Sequence, residues 1–338
     1  GTRSAVFAPV QNLGLIVMDE EQESTYKSES TPRYHARDIA KFRVNYNRAY
    51  CLLCSATPSV ESYYMAQSGK YRYHALHHRY GDAVVPTVQL VDMNNEDLYR
   101  GKPMISMALA RAVSKNIRAG RQSILLLNRR GYHTYAVCKD CKTVAACPNC
   151  SISMTYHAAN NRLMCHYCGH SEPAYVRCKA CGGELTFSGG GTQKAEDQLR
   201  EAFPEARILR VDTDTTANKY ALEKKLNAFA NGEYDIMIGT QMVAKGLDFE
   251  NVTLVGVLSA DQSLYSDDYR SNERTFDLLT QVVGRAGRGR YRGTALIQTH
   301  VPENPYLHLA AAQDYESFFE TEIRFRRAML SPPFADLL

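Results

Sequence analysis

The chain has 338 residues, of which 44% are hydrophobic, and 40 Lys and Arg against 36 Asp and Glu give a formal net charge of +4. At about 100–200 residues per domain, this length predicts two or three domains. So small an excess of positive charge excludes a chain that binds polyanions over its whole surface, and any nucleic-acid surface must be local. The apolar runs are too short to span a bilayer and no secretion leader opens the chain, so we expect a cytoplasmic protein with no membrane partner.

Short apolar runs alternate with longer helical patterns along the chain. Because the runs lack polar alternation, they predict strands buried on both faces of a parallel sheet. The predicted strands are residues 13–18, 50–54, 124–127, 208–211, 236–238, 252–258 and 295–298. The predicted helices are residues 108–119, 193–202, 217–230 and 272–283. This alternation predicts an α/β fold.

Polar clusters come directly after four of these strands, at residues 19–22, 55–57, 128–131 and 239–241. In open parallel sheets, ligands bind beyond the carboxyl ends of the strands. The sequence therefore predicts a binding site at that edge of the sheet.

Eight cysteines interrupt the α/β pattern between residues 137 and 186. They form four Cys-x-x-Cys pairs, the spacing that directs two thiolates at one metal, and in this context we interpret them as zinc ligands rather than disulfides. Alternating Ile152, Met154 and Tyr156, followed by a turn at Asn160 and Asn161, predict a hairpin between the second and third pairs. We therefore predict nested zinc sites, the outer one formed by Cys138, Cys141, Cys178 and Cys181 and the inner one by Cys147, Cys150, Cys165 and Cys168.

Charge limits what this module binds. From Cys138 to Cys181 there are five Lys and Arg and two Asp and Glu. Eight thiolates and two zinc ions bring the total to about −1. The module is therefore expected to brace the fold or bind a partner, with at most a few DNA contacts. The remaining pair, Cys51 and Cys54, lies in a predicted strand and is interpreted as core packing.

Two motifs favour nucleotide hydrolysis. After a strand, Asp19 and Glu20 are suited to hold Mg²⁺ and to orient or deprotonate water, although a helix N-cap has the same pattern. On a helix, Gln281, Arg285 and Arg288 share one face, and two guanidiniums on one face suit a phosphoryl group. A basic helix end that complements its own dipole is the alternative. We interpret the glycines that flank the arginines as allowing close approach to phosphate.

In order along the chain, these motifs resemble those of superfamily-two helicases. The residues that carry the resemblance are Asp19-Glu20-Glu21-Gln22, Ser55-Ala56-Thr57, Gly239-Thr240-Gln241 with Lys245-Gly246, and Gln281 with Gly284, Arg285, Gly287 and Arg288. With Gly1-Thr2-Arg3-Ser4-Ala5 at the start and four inserted Cys pairs, the chain is similar to the primosomal protein N′ family of bacterial replication-restart DNA helicases.

The resemblance implies tandem RecA-like parallel-sheet lobes, the first one partial, with an inserted double zinc-ribbon module. In that arrangement residues 1–92 are the C-terminal part of lobe one, 93–136 and 187–301 are lobe two, 137–186 are the zinc module, and 302–338 start a C-terminal domain.

The resemblance also implies a role for single residues. Asp19 would hold Mg²⁺, Glu20 would activate water, and Arg288 would act as an arginine finger supported by Gln281 and Arg285. Coupling of hydrolysis to strand movement is implied for Gln22, Ser55 and Thr57, and nucleotide binding for Gly246 and Asp248. DNA contacts are implied for Thr2, Arg3, Tyr26, Arg33, Tyr34, Arg37, Thr240 and Gln241. Interleaved aromatics and cations in residues 26–37 suit stacking on a single strand.

The implied function is an ATP-dependent three-prime to five-prime DNA helicase that recognises stalled or abandoned forks, promotes primosome assembly and reloads the replicative helicase. The implied partners are forked and single-stranded DNA, single-stranded-DNA-binding protein, primosome loading proteins and the replicative helicase, at the bacterial nucleoid. The implied cofactors are two Zn²⁺ per chain and Mg²⁺ with ATP.

The sequence departs from the family pattern twice. Gln22 stands where many relatives carry His, and no Gly-x-x-x-x-Gly-Lys-Ser/Thr loop occurs. We therefore expect the chain to be the middle of a longer protein and not to hydrolyse ATP appreciably by itself. Two alternatives stay open: a zinc-dependent fork-binding scaffold whose motor is dispensable, and an RNA-directed motor, because no residue selects against a 2′-hydroxyl.

Overall fold

The computed structural model describes residues 3–28, 31–76, 86–127, 134–141, 143–149, 154–157, 161–165, 168–188, 192–211, 219–240, 249–264, 268–287 and 291–335. Contacts divide the chain into two compact units, Gly1–His77 with Phe319–Leu338, and His78–Phe318. No helix in the described ranges is long and apolar enough to cross a membrane. The division into two compact units differs from the predicted domain boundaries, in which lobe one ended at residue 92 and a further domain began at residue 302.

The first unit is built on two parallel strands joined by a helix, namely β1 (Leu15–Asp19), α1 (Ala36–Asn47) and β2 (Tyr50–Cys54). Met18 packs with Ala36 and Ala40 on the face that α1 covers. On the opposite face, four side chains are 48–78% exposed: Leu15, Val17, Tyr50 and Leu52. Burial on both faces was therefore a wrong prediction for this strand pair, because the described residues leave the face opposite α1 largely uncovered.

The end of the chain also packs in the first unit, against α2 (Val60–Gln67). The ring of Phe319 in helix α8 (Tyr315–Ala328) meets the ring of Tyr63 edge-on, with centroids 4.7 Å apart. Arg326 is fully buried, with its Nε 2.9 Å from Glu322 and its NH1 3.3 Å from Glu61. Buried charges require partners, so this ion triad joins α8 to α2.

The second unit contains a six-stranded parallel sheet in the order β10-β11-β4-β12-β13-β3. Its strands are β3 (Thr87–Asp92), β4 (Gln122–Leu127), β10 (Ile208–Val211), β11 (Ile236–Gly239), β12 (Val252–Ser259) and β13 (Thr294–Thr299). The strands predicted for this part of the chain are all present, so the predicted α/β parallel-sheet fold is confirmed. Strand β3 was not predicted. It pairs with β13 at the edge of this sheet, although the predicted division had placed it in lobe one.

Helices flank this sheet: α3 (Met107–Arg118), α4 (Thr192–Ala202), α5 (Lys219–Ala230), α6 (Ser271–Val283) and α7 (Pro305–Ala312). Leu109 of α3 and Leu199 of α4 belong to one buried cluster with Leu125 of β4. Gly256 of β12 lies beneath this layer, where an added Cβ would be 2.7 Å from Leu125. The absence of a side chain at Gly256 therefore lets α3 approach the centre of the sheet.

A five-stranded antiparallel sheet is inserted between β4 and α4, in the order β8-β7-β6-β5-β9. Its strands are β5 (Thr134–Cys138), β6 (Thr155–His157), β7 (Arg162–Met164), β8 (Ser171–Pro173) and β9 (Leu185–Ser188). Strands β6 and β7 pair with Tyr156 opposite Leu163, which confirms the predicted hairpin. The insertion interrupts the sequence of lobe two. Its first strand, β5, pairs with its last strand, β9, so the two ends of the insertion lie side by side.

Candidate functional site

The acidic motif forms a tight turn at the carboxyl end of β1. Glu20 has a φ of 49°, in the left-handed region, and its amide donates to Asp19 Oδ1 at 3.1 Å. A non-glycine residue in this conformation costs about 1–3 kcal/mol and is kept where the surroundings enforce it. Here the amide of Glu21 donates to the carbonyl of Cys54 on the neighbouring strand at 3.1 Å. The turn thus holds Asp19 and Glu20 at the carboxyl end of the sheet.

A chain of hydrogen bonds joins the acidic motif to the Ser-Ala-Thr motif. Gln22 Nε2 donates to Glu20 Oε2 at 2.7 Å, and Ser55 Oγ donates to Gln22 Oε1 at 2.6 Å. The amide of Thr57 in turn donates to Ser55 Oγ at 2.9 Å. A glutamine amide offers both a donor and an acceptor, as neutral histidine does, but it does not titrate. Gln22 can therefore link the two motifs with a side chain that does not titrate.

Glu21 anchors the turn from the inside. Its side chain is almost fully buried and accepts from the amide of Ser59 at 2.6 Å, from Ser62 Oγ at 3.0 Å and from Arg37 NH1 at 2.8 Å. Arg37 itself is only 12% exposed. The buried carboxylate of Glu21 turns the guanidinium inward as its partner, and the contact of Arg37 with DNA stays a prediction.

The tyrosine-rich loop packs back onto the acidic motif. Tyr26 donates its hydroxyl to the carbonyl of Asp19 at 2.7 Å, and burial together with the charge of Asp19 raises its pKa, so it remains a donor. Tyr34 is half-buried, with its ring 5.0 Å from that of Phe7. Arg33 is exposed. Part of the loop therefore packs against the protein itself. The contacts of Tyr26, Arg33 and Tyr34 with a DNA strand stay predictions.

Beneath this loop lies a cavity of about 670 Å³ that Asp19, Tyr26 and Tyr34 help to line. Arg3 also lines it and donates to the carbonyl of Lys27 at 3.2 Å. The exposed guanidinium of Arg3 thus holds the loop in place, and its contact with the DNA backbone stays a prediction.

Helix α6 ends before the arginines of the last motif. It stops at Val283, and a turn follows in which Gly287 has a φ of 75°. A Cβ on Gly287 would lie 2.3 Å from the amide nitrogen of Gly293. The prediction that Arg285 shares a helical face with Gln281 is therefore wrong, and Arg288 lies outside the described residues. Gly287 closely approaches the chain's own backbone, and the approach of the flanking glycines to phosphate stays a prediction.

The remaining predicted residues are partly outside the described ranges. Gln281 and Arg285 are half-buried at the end of α6, and Thr240 is half-buried just after β11, at the carboxyl edge of the sheet. Six predicted residues lie outside the described part of the chain: Thr2, Cys150, Gln241, Gly246, Asp248 and Arg288. Their roles stay predictions.

The outer cysteine set converges on one point. The thiols of Cys138, Cys141, Cys178 and Cys181 all lie within 4.8 Å of one another. Sγ of Cys138 is 3.4 Å from that of Cys181, and Sγ of Cys141 is 3.6 Å from that of Cys178. A tetrahedral zinc with bonds of about 2.3 Å requires sulfur separations of about 3.8 Å, so the set fits a zinc ion.

Backbone amides contact the sulfurs of the outer set. The amides of Asp140 and Ala180 lie 3.4 Å from the sulfurs of Cys138 and Cys178, as donors that stabilise thiolates. Hydrogen bonds with Thr143 lower the pKa of Cys141 to about 6. Gly183 leaves room beside Cys138, where an added Cβ would be 3.0 Å from the sulfur.

The inner set is brought together in the same way. Cys147, Cys165 and Cys168 form a second group of potential metal ligands, with 3.6 Å between the sulfurs of Cys147 and Cys168. Cys150 was predicted as the fourth ligand and lies outside the described residues. The nested grouping expected from the spacing is therefore present, and zinc bound there would tie the hairpin β6–β7 to the start of the module.

Zinc content tests this grouping directly. We expect two zinc ions per purified chain, one for each group, and one fewer when Cys178→Ser removes a buried ligand of the outer set. Cys51→Ser is the matched control, because Cys51 lies outside both groups and burial raises the pKa of its thiol. Metal analysis of the purified chains measures the count. One ion or none in the unsubstituted chain would refute the nested arrangement.

Comparison with known proteins matches both parts of the second unit. Residues 185–290 match the helicase conserved C-terminal domain, and residues 147–173 match the PriA DNA helicase Cys-rich region domain. Replication restart protein PriA of Bacillus subtilis is 49% identical over 335 residues, 99% of this chain and 42% of that protein. The chain belongs to the PriA family. The PriA proteins of Chlamydia trachomatis and Rickettsia felis are 44% and 39% identical, and the chain covers 46% and 52% of them.

The chain thus spans about half the length of its PriA relatives. Its RecA-like helicase fold contains a PriA-type zinc ribbon, as the resemblance implied. Among solved structures, RecG bound to a three-way DNA junction has a TM-score of 0.47 at 14% identity, covering 92% of this chain and 30% of that one. Dbp5 of S. cerevisiae bound to RNA and ADP BeF3 has a TM-score of 0.42 at 12% identity, covering 95% and 64%.

Two positions in this PriA-family site were not identified from the sequence alone. Glu21 was part of the motif but had no predicted role, and the pairing of Arg37 with Glu21 was not predicted. A signal was present, because a further carboxylate directly after Asp19 and Glu20 is either solvated or needs a buried cation. The sequence does not tell which cation supplies it, because Arg37 is sixteen residues away and competes with several others.

Proposed function

We propose that this chain is the motor core of an ATP-dependent DNA helicase that moves three-prime to five-prime in replication restart. The observation that carries the proposal is the hydrogen-bonded chain from Glu20 through Gln22 to Ser55. It links the carboxylate suited to activate water with the motif that follows the next strand. A displacement of Ser55 would therefore shift the carboxylate of Glu20 through Gln22. A motor requires coupling of this kind.

Each residue of the acidic turn has a chemical task in this proposal. Mg²⁺ bound with ATP would supply charge that neutralises the phosphates, and Asp19 is the residue placed to hold it. Glu20 would orient and deprotonate the attacking water. Gln22 holds the carboxylate of Glu20, and Tyr26 fixes the carbonyl of Asp19. Roles in hydrolysis for Gln281, Arg285 and Arg288, and in nucleotide binding for Gly246 and Asp248, belong to the same proposal.

The wider role follows from the family. We infer that the complete protein recognises stalled or abandoned forks, promotes primosome assembly and reloads the replicative helicase at the bacterial nucleoid. Single-stranded-DNA-binding protein and primosome loading proteins are the partners this requires. The zinc module, with little net charge, suits a protein contact better than a phosphate contact.

An unwinding assay of the full-length protein tests the motor. With ATP, we expect a duplex with a three-prime single-stranded tail to be unwound and a duplex with a five-prime tail to stay paired. The five-prime-tailed duplex, matched in sequence, is the control. Equal unwinding of both duplexes, or unwinding without ATP, would contradict the proposal.

The zinc module favours one other candidate, a fork-binding scaffold whose motor is dispensable. Its cysteine groups are formed by the inserted sheet and do not involve the acidic turn. Helicase loading at forks by a Glu20→Gln protein separates the two. Unchanged loading supports the scaffold, whereas loss of loading supports the motor.

A further inference from the structure

Positive charge is concentrated in one segment of the second unit. Between Asp97 and Asp140 the chain has nine Lys and Arg and no Asp or Glu. The whole chain has a net charge of only +4, so the remainder is acidic on balance. Helix α3 lies within this segment and carries three of its cations and no acidic residue. This is the local excess that a nucleic-acid surface requires.

The cations of α3 lie along its outer face. Arg111, Lys115 and Arg118 are four and seven positions apart, which places them on one side of a helix. Leu109 and Val113 occupy the buried side, and all three cations are exposed. The row spans about 10 Å at 1.5 Å per residue. We call these three residues the cationic stripe.

The cationic stripe differs from a nearby lysine in its ion pairing. Among the described residues, no carboxylate forms an ion pair with Arg111, Lys115 or Arg118, whereas nearby Lys102 is paired with Glu201. Like charges four positions apart destabilise a helix. The helix dipole favours cations in the last turn only, which leaves Arg111 uncompensated. The stripe is therefore a cost to the fold that an external anion would offset.

An exposed aromatic ring extends the stripe. After a turn at Gly120, the guanidinium of Arg121 lies 3.9 Å from the ring centroid of Tyr291, which is 49% exposed. Cations beside an exposed ring are the combination that binds single strands, because the ring stacks on a base while the cations contact phosphates. An acidic protein segment could pair with the cations, but it has no bases on which the ring of Tyr291 could stack.

This surface lies away from Thr240, which was predicted to contact DNA. Only residues 119–121 connect α3 to β4, so α3 runs antiparallel to β4 and Arg118 and Arg121 lie at the amino edge of the sheet. Tyr291 precedes β13 and lies at the same edge. Thr240 lies at the opposite, carboxyl edge, just after β11.

We propose that the cationic stripe, with Arg121 and Tyr291, binds the phosphate backbone and a base of a single nucleic-acid strand away from the motor site. The choice of DNA as that strand rests on the proposed function. Held there, a strand would remain bound to this unit while the motor site changes its grip.

Salt dependence of binding to labelled oligo(dT) tests the proposal in the chain described here. For single strands, each neutralised phosphate contributes about −0.7 to the slope of log affinity against log salt. The triple variant Arg111→Gln, Lys115→Gln, Arg118→Gln should therefore have a slope shallower by about 2. Between about 50 and 200 mM salt, the unsubstituted chain should lose roughly 20-fold more affinity than this variant.

A second triple variant removes the same charge elsewhere in the unit: Lys224→Gln, Lys225→Gln, Arg207→Gln. It should leave the slope unchanged. Tyr291→Ala should weaken binding by roughly 5- to 150-fold without altering the slope, because it removes stacking rather than charge. The melting temperature of the stripe variant should be unchanged or higher, because the substitutions relieve charge repulsion along α3.

An unchanged slope in the stripe variant, or equal changes in the two triple variants, would overturn the proposal. The proposal would also be overturned if the stripe variant lost binding to a polyglutamate peptide but kept its binding to oligo(dT). That result would assign the stripe to an acidic protein. Neither result affects the unwinding assay, whose outcome decides the proposed function independently.

Discussion

Glu20→Gln is expected to lower kcat for DNA-stimulated ATP hydrolysis by the full-length protein about 10²- to 10⁴-fold, with little change in KM. The amide cannot accept a proton from water but keeps the size of the carboxylate. Gln22 can still donate to its oxygen, so the turn and the nucleotide site should keep their shape. Steady-state hydrolysis with and without single-stranded DNA measures the effect.

Asp38→Asn is the matched control for this substitution. It also neutralises a carboxylate of the first unit, but Asp38 is on the surface of α1, with its side chain 69% exposed. Its kcat should equal that of the unsubstituted protein. Gln22→Ala should have an intermediate effect, because Glu20 loses its orienting donor but remains a base. Full hydrolysis by the Glu20→Gln protein would assign the base to another residue.

Arg326→Met is expected to destabilise the docking of α8 by about 3–5 kcal/mol. The guanidinium is fully buried between Glu322 and Glu61, and it donates to the carbonyl of Pro332 at 3.3 Å. Without it, two carboxylates stay in or near the core with no cation between them. Hydrogen exchange of the α8 peptide should therefore lose protection by about 10²- to 10⁴-fold.

The same helix supplies the control for Arg326. Arg324 also faces a glutamate four positions earlier, at 3.5 Å, but its side chain is 80% exposed. Arg324→Met should change protection by no more than about 0.5 kcal/mol, because an exposed pair is screened by water. Adding Glu322→Met to Arg326→Met should recover part of the loss. Equal protection in the two single variants would show that the buried triad does not hold α8.

Sequence patterns predicted the parts of this fold that depend on neighbouring residues. Strands β2 and β10 occur at the predicted bounds because a short apolar run between turn signals has few alternatives. The cysteine pairs were equally local, since two residues between thiols set the geometry at one metal. The predicted hairpin followed from alternation and a turn, which are also local.

Other features depended on partners distant in sequence. The strand at Thr87–Asp92 was missed, and its place beside β13 depends on residues about 200 positions away. Helix α6 ends at Val283 as predicted, but the arginine motif after it was interpreted as helical, and the close packing of Gly287 against Gly293 was not predicted. The residues next to Gly287 and Gly293 in the sequence do not indicate that the two glycines pack against each other.

By itself, the sequence determined the order of motifs, the α/β alternation and the nested cysteine groups, because periodicity and spacing act over a few residues. Only the tertiary structure decided the direction of Arg37, the burial of Glu21 and the exposure of the sheet face that includes Val17. The physical reason is that a charged or apolar side chain is stable wherever its partner lies, and that position is set by folding.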